Sequence, residues 1–239
     1  GERTKNVFFA RTGMRLPVFD AFHPNPDLQD CVAGAALYQE KGCDGLISIG
    51  GGSAMDTAKG IKALLMTDIA HVRANQLPPE GKVPHLAIPG TAGTGAETTA
   101  VAVLYEDGQK LSVDHPALLP DGVLLDGSLL DTLPEYHRKS CAMDALAQGI
   151  ESWWAKKATP GSRIHAERAI RGVLDNLTAY LQGDRKAQDE MLHAAYESGV
   201  AILTTRTTAA HAMSYQITKK LGAAHGHACM LTLPHLWAH

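Results

Sequence analysis

No apolar run in the 239 residues is long enough to span a bilayer, and no repeat or low-complexity tract is present. There is no excess of basic charge either. The formal net charge of −3 provides no field of the kind that draws a protein to nucleic acid or an anionic membrane surface. Cysteine is sparse. Cys31, Cys43, Cys141 and Cys229 are widely spaced and form no CxxC, so the expectation is reduced thiols in a cytoplasmic protein rather than a disulfide framework. The opening "GERTKNVFFA" lacks the layout of a signal peptide. What is present is 45% hydrophobic and 20% charged residues, an ordinary globular balance, in a chain long enough for one large or two modest domains. Histidine is plentiful at 12, with several near the C-terminus.

The first half reads as α/β. Short apolar runs bounded by Gly, Pro or Asp occur at 6–9 (NVFF), 16–20 (LPVFD), 45–49 (GLISI), 85–88 (HLAI), 100–105 (AVAVLY) and 122–126 (GVLLD). Such runs suit buried parallel strands, and helical patterns at 27–41 and 53–66 lie between some of them. Alternation of this kind predicts βαβ units. The gap between the first two runs is too short for a parallel crossover, so either they are not parallel neighbours or a segment is missing. From Pro134 the composition and period become helical. The expected division is an α/β dinucleotide-binding domain over 1–133 and a helical metal and substrate domain over 134–239. The closing "CMLTLPHLWAH" ends inside an apolar stretch, and the chain is read as truncated there.

The stretch "GGGSAMDTAKG" follows the run at 45–49. A strand, a bare turn and a helix start place free N–H groups and the positive end of a helix dipole around one point, which suits an anion. Ser53 with Asp56 gives an S-x-x-D capping signal. A tight βα turn that needs positive φ would look the same. A second glycine-rich turn, "IPGTAGTGAE" at 88–97, follows the next run and carries Thr91 and Thr94, with Thr98 just beyond it. Two such turns favour a dinucleotide. Asp20 ends its own run, where an acid can accept hydrogen bonds from ribose hydroxyls or simply close a turn.

In the helical half, Asp144 and Gln148 are spaced i, i+4 on one helix face, and His211 and His225 follow downstream. A carboxylate, an amide oxygen and two imidazoles can hold one divalent cation. Capping and surface roles are the alternative. His227 is a third ligand, a proton carrier or a loop histidine. Tyr215, one turn after His211, relays a proton or packs.

Together "GGGSAMDTAKG", "IPGTAGTGAE", "MDALAQGIES" and "AAHAMSYQITKKLGAAHGHACMLTLPH" resemble the iron-containing (group III) alcohol dehydrogenases over nearly the whole chain. The resemblance implies the dehydroquinate synthase-like fold: an α/β nucleotide-binding domain, an all-α domain and a metal between them. It implies that Gly51, Gly52 and Ser53 hold the pyrophosphate of NAD, with NADP as an alternative, and that Thr91 and Thr94 lie along the cofactor. It matches Asp20 to the acidic position that favours NAD. Asp144, His211 and His225 match three metal ligands. Two positions depart from the pattern: Gln148 stands where a ligating histidine is usual, and Tyr215 where a proton-relay histidine is usual. The implied metal is Fe(II) first, with Zn(II) or Mn(II) as alternatives.

The departures resemble a subgroup that reduces 2-phosphonoacetaldehyde to 2-hydroxyethylphosphonate in phosphonate antibiotic pathways. The expected substrate is therefore a small aldehyde bearing a phosphonate, and the family implies a homodimer. An uncharged small aldehyde, or phosphonopyruvate, is the alternative substrate. Arg206, upstream of His211 on the same expected helix, is the first candidate to hold the phosphonate. Lys110, Lys219 and Lys220 are further candidates. Tyr215 or His227 would supply the proton.

Overall fold

A computed structural model describes residue 13, residues 15–79 and residues 83–237. The run at 6–9 lies outside them. Helix α1 (Leu28–Glu40) starts in a capping box: Asp27 accepts from the backbone of the first turn, and Asp30 reaches back to Asp27 N–H. Strand β1 (Leu46–Gly50) leads into α2 (Gly52–Met66), and a short α3 (Ile69–Arg73) follows. Strand β2 (His85–Pro89) pairs parallel with β1 on one side and with β5 (Gly122–Val123) on the other. The runs at 45–49 and 85–88 are thus the parallel strands their composition predicts. The run at 122–126 keeps only two strand residues, with Leu124 N–H still reaching Ala87 O at 2.9 Å.

Two expected strands fail. Residues 16–20 form no regular strand; Phe19 packs on the α1–α2 core without ladder bonds. The run at 100–105 is a strand but not a parallel one. Strand β3 (Val101–Glu106) turns through Asp107 and Gly108 and returns antiparallel as β4 (Gln109–Asp114). Both turn residues have positive φ, +50° and +71°, as a two-residue hairpin loop requires. Along β4, Leu111 and Val113 face the core, whereas Lys110, Ser112 and Asp114 share the other face.

From Glu135 onward every regular element is helical: α4 (Glu135–Trp154), α5 (Pro160–Leu181), α6 (Arg185–Thr205), α7 (Ala209–Leu221) and α8 (His225–Trp237). Thr159 and Ser162 close a capping box at the start of α5. The chain breaks between α6 and α7 at Arg206, which has φ +63°. Arg206 and His211 therefore do not share a helix, contrary to the sequence reading. Alanines and Leu146, Val173, Met191 and Leu192 of α4, α5 and α6 form the main core. No helix among the described residues is long and apolar enough to cross a membrane.

The second glycine turn is wedged between the α/β and helical parts. Lys59 of α2 fixes its exit, donating its buried ammonium to Ala96 O at 2.6 Å, Val101 O at 2.9 Å and Thr99 Oγ1 at 3.1 Å. Gly95, at φ +59°, touches Gly199 of α6 so closely that a Cβ on Gly199 would stand 2.8 Å from Gly95 Cα. A helical Gly→Ala change ordinarily gains up to about 1 kcal/mol. Here the clash is with backbone, which cannot swing aside. Gly199→Ala is expected to destabilise the chain by about 1–3 kcal/mol in urea unfolding; unchanged or raised stability would show the contact to be looser.

Candidate functional site

The register Gly50↔Pro89 sets the ends of β1 and β2 side by side, so both glycine turns leave the carboxyl edge of the sheet together. That edge is where open α/β sheets bind nucleotides. Gly90 N–H donates to Gly50 O at 2.7 Å. Gly51 and Gly52 lie against Thr91 and Thr94: an added Cβ on either glycine would come 3.0 or 3.1 Å from a threonine methyl. The bare turn therefore admits its neighbour turn as well as leaving N–H groups open at the start of α2. The N-cap of α2 is Gly51, without a side-chain cap, and Ser53 lies inside the first turn. The expected Ser53–Asp56 cap is thus not formed. Ser53 Oγ instead accepts Asn25 N–H at 3.2 Å, drawing the segment that carries exposed Asp20 toward the same helix start. Asp56 is held by the backbone of Val103 and, largely through burial, has its pKa raised to about 6.

The helical half brings Asp144, His211, His225 and Cys229 into one group whose liganding atoms all lie within 4.8 Å of one another. Asp144 comes from α4, His211 from α7, and His225 and Cys229 from successive turns of α8. Helix α8 reaches α4 because residue 226 is glycine: a Cβ there would stand 2.7 Å from Asp144 N. Asp144 Oδ1 is 3.2 Å from His211 Nε2 and 3.8 Å from His225 Nε2; Cys229 Sγ is 4.0 Å from His225 Nε2. Two imidazoles, a carboxylate and a thiol suit a borderline or soft divalent cation, so the donor chemistry fits a metal.

Glu151 and Cys229 are the residues that sequence reasoning missed. Glu151 is fully buried. Its carboxylate accepts from Thr208 Oγ1 at 2.7 Å, Ala210 N–H at 2.9 Å and Thr208 N–H at 3.1 Å, and it binds His211 Nδ1 directly. It thus caps α7 and orients the His211 ring, turning Nε2 toward Asp144. Its signal was its place three residues after Gln148 on the same helix face, and that of Cys229 was the i, i+4 step from His225.

Burial opposes ionisation of these groups, but their mutual contacts prevail. His225 and His211 hold Asp144 below the usual carboxylate range; hydrogen bonds from His211 and Thr208 do the same for Glu151. His211 is pushed well above an ordinary imidazole by its bonds to Asp144, Cys229 and Glu151. Burial also raises the Cys229 thiol, yet the two histidines bring it below its ordinary value.

Gln148 faces the group as a donor. Its Nε2 gives hydrogen bonds to Thr94 O at 3.1 Å and Asp144 Oδ1 at 3.3 Å, while Oε1 accepts from Ser198 Oγ at 2.8 Å. It joins the second glycine turn to the metal group. Tyr215 stacks on His225 with ring centroids 5.7 Å apart, and Lys110 Nζ lies 3.7 Å from the Tyr215 ring centre. His227 is turned away, its Nδ1 3.1 Å from Tyr136 OH. Arg206 is half-exposed and bound to Asp114 on the hairpin.

Two family models match the chain: iron-containing alcohol dehydrogenase over residues 4–127, and the C-terminal part of the Fe-containing alcohol dehydrogenase family over residues 139–239. The chain belongs to the iron-containing alcohol dehydrogenase family. It is 35% identical to the probable alcohol dehydrogenase EutG of Escherichia coli, over 87% of this chain and 54% of that protein. It is 36% identical to the phosphonoacetaldehyde reductase of Streptomyces viridochromogenes, over 90% of this chain and 58% of that one. The crystal structure of sulfoacetaldehyde reductase from Bifidobacterium kashiwanohense in complex with NAD+ superposes with a TM-score of 0.92 at 32% identity, covering 98% of this chain and 64% of that one. The chain thus spans little more than half the length of these curated relatives.

The acid–imidazole network has a definite pH signature. In the metal-free protein, lowered carboxylate pKa values contribute stability that is present above the ordinary carboxylate range and lost as pH falls through the lowered values. The raised His211 contributes the opposite limb, present below about 6.5 and lost as pH rises through its raised value. Glu151→Gln sets an NH2 against donors and is expected to cost about 3 kcal/mol at neutral pH. It should also flatten the acid limb of a stability–pH profile; an unchanged profile would remove Glu151 from the network.

Proposed function

We propose that this chain carries the working site of an NAD(H)-dependent aldehyde reductase whose substrate is a small aldehyde with an anionic head, 2-phosphonoacetaldehyde first. The observation that carries the reading is Gln148, which joins the dinucleotide-type turn at Thr94 to Asp144 of the metal group. That junction supports a reading in which a bound dinucleotide would lie beside a bound cation. When bound, the dinucleotide supplies hydride and the divalent cation supplies Lewis-acid polarisation of the aldehyde oxygen.

The chain's own residues do the rest. The open N–H groups of Gly51, Gly52 and Ser53 hold the pyrophosphate, and Thr91 and Thr94 line the cofactor's path. Asp20 accepts from the ribose hydroxyls and repels a 2′-phosphate. Asp144, His211 and His225 hold the cation. Tyr215, stacked on His225, gives the nascent alkoxide its proton. His227 is left out of the proton path because it is bonded to Tyr136.

The anion-holding role passes from Arg206 to Lys110. Arg206 is engaged by Asp114, whereas Lys110 forms no ion pair among the described residues and lies on the ring that stacks on His225. Two relatives are named for substrates of this kind, since phosphonoacetaldehyde and sulfoacetaldehyde both carry an anionic group on the carbon next to the aldehyde.

Two measurements test the reading. Lys110→Gln is expected to raise KM for phosphonoacetaldehyde by about tenfold or more, as loss of a charge-assisted contact should, and to leave propionaldehyde unchanged. Arg206→Ala should affect both alike. Equal loss on both aldehydes in Lys110→Gln would favour an uncharged substrate. Separately, the chain should prefer NADH to NADPH, and Asp20→Ala should narrow that preference; an unaltered ratio would return Asp20 to a turn role.

A further inference from the structure

We infer that Cys229, not Gln148, is the fourth ligand of the cation held by Asp144, His211 and His225. The inference rests on the metal reading above and specifies its donor set. The amide of Gln148 is oriented by neighbours that cannot donate. Thr94 O and Asp144 Oδ1 both face the same end of it, at 3.1 and 3.3 Å, so that end is the NH2 and has no lone pair to offer. Turning the amide over would set its carbonyl oxygen against two other acceptors, Thr94 O and Asp144 Oδ1, whereas the Ser198 hydroxyl can meet either end of the amide. Gln148 is a positioning residue: it holds Asp144 from one side while His211 holds it from the other.

Cys229 has the opposite character. It is fully buried, one turn beyond His225 on α8, and its Sγ belongs to the same compact set of donor atoms. Metal–sulfur bonds of about 2.3 Å and metal–nitrogen bonds of about 2.0 Å would set neighbouring ligands roughly 3.3–3.6 Å apart, and a cation expanding to five-coordinate would keep a place for the aldehyde oxygen. Three separations within the group are 3.2 Å, 3.8 Å and 4.0 Å and none exceeds 4.8 Å, so the side chains would draw in by up to about 1 Å to meet that spacing. The close approach at Gly226 holds α8 against α4, so Cys229 reaches the site without rebuilding the backbone. A thiolate in the set makes the centre softer than an all-nitrogen-and-oxygen site. It then selects a thiophilic cation, Zn(II) or Co(II), over Mn(II).

The test loads the metal-free chain with Co(II) and reads its absorption spectrum. The wild type should bind one Co(II) with a near-ultraviolet thiolate-to-cobalt charge-transfer band. Cys229→Ser and Cys229→Ala should lose the band and weaken Zn(II) binding at least roughly tenfold in competition with a chelator. Gln148→Ala should keep the band. Circular dichroism establishes that each variant is folded. A bound Co(II) without the band, a band that survives in Cys229→Ser, or its loss in folded Gln148→Ala would overturn the inference while leaving the metal site standing. Failure of the wild type to bind Co(II), Zn(II) or Fe(II) would overturn the metal reading itself, and this inference with it.

Discussion

A single buried carboxylate organises the helical half. Glu151 collects the open N–H groups at the start of α7 and the Nδ1 of His211, so one side chain fixes both where that helix begins and how its first histidine points. An ionised group with no exposure is costly unless every lone pair is used. Here the acceptor positions are filled by donors from Thr208, Ala210 and His211. The placement of Nε2 beside Asp144 follows, and with it the rest of the group. Had an apolar residue stood at 151, α7 would lose its cap and the His211 ring its orientation together.

The same economy joins the two halves. The second glycine turn is held from below by Lys59 and from above by Gly199 and Gln148, so a shift in the turn is a shift in Asp144. The β3–β4 hairpin makes a second bridge on one face of β4, where Lys110 meets Tyr215 and Asp114 meets Arg206. These contacts are half-exposed and individually weak, in the range of surface ion pairs and cation–π contacts. The buried joint at Gly95 and Gly199 therefore sets the relative position of the halves, and the hairpin contacts refine the rim.

Much of this was legible in the sequence because the relevant residues are dense and local. Glycines after apolar runs announced both turns, and the parallel pairing of β1 with β2 followed from composition. The helical period from Pro134 onward was equally plain. Asp144, His211 and His225 could be named as candidate ligands, and the structure brings them together. What escaped was decided by contacts that composition does not encode. The run at 100–105 resembled a buried strand, and the Asp107–Gly108 turn with alternating Lys110, Leu111, Ser112 and Val113 was the overlooked sign of a hairpin. The break at Arg206 has no glycine or proline to announce it; a non-glycine residue with positive φ turns the chain from α6 into α7, whose start lands on Glu151. Glu151 resembled an ordinary helix-surface acid until α7 was seen to land on it.

Gln148 shows why spacing alone misassigns a site. An i, i+4 pair on a helix establishes that two side chains share a face, not what each does there. Asp144 has only acceptors to offer and is surrounded by donors. Gln148 carries both functions, and the Thr94 carbonyl of the second glycine turn takes its donor end. An imidazole at 148 could not donate to Thr94 and Asp144 from one nitrogen while also accepting from Ser198, so the amide suits a connector better than a ligand. The side chain at 148 that offers least as a metal donor is thus the one that ties the second glycine turn to Asp144.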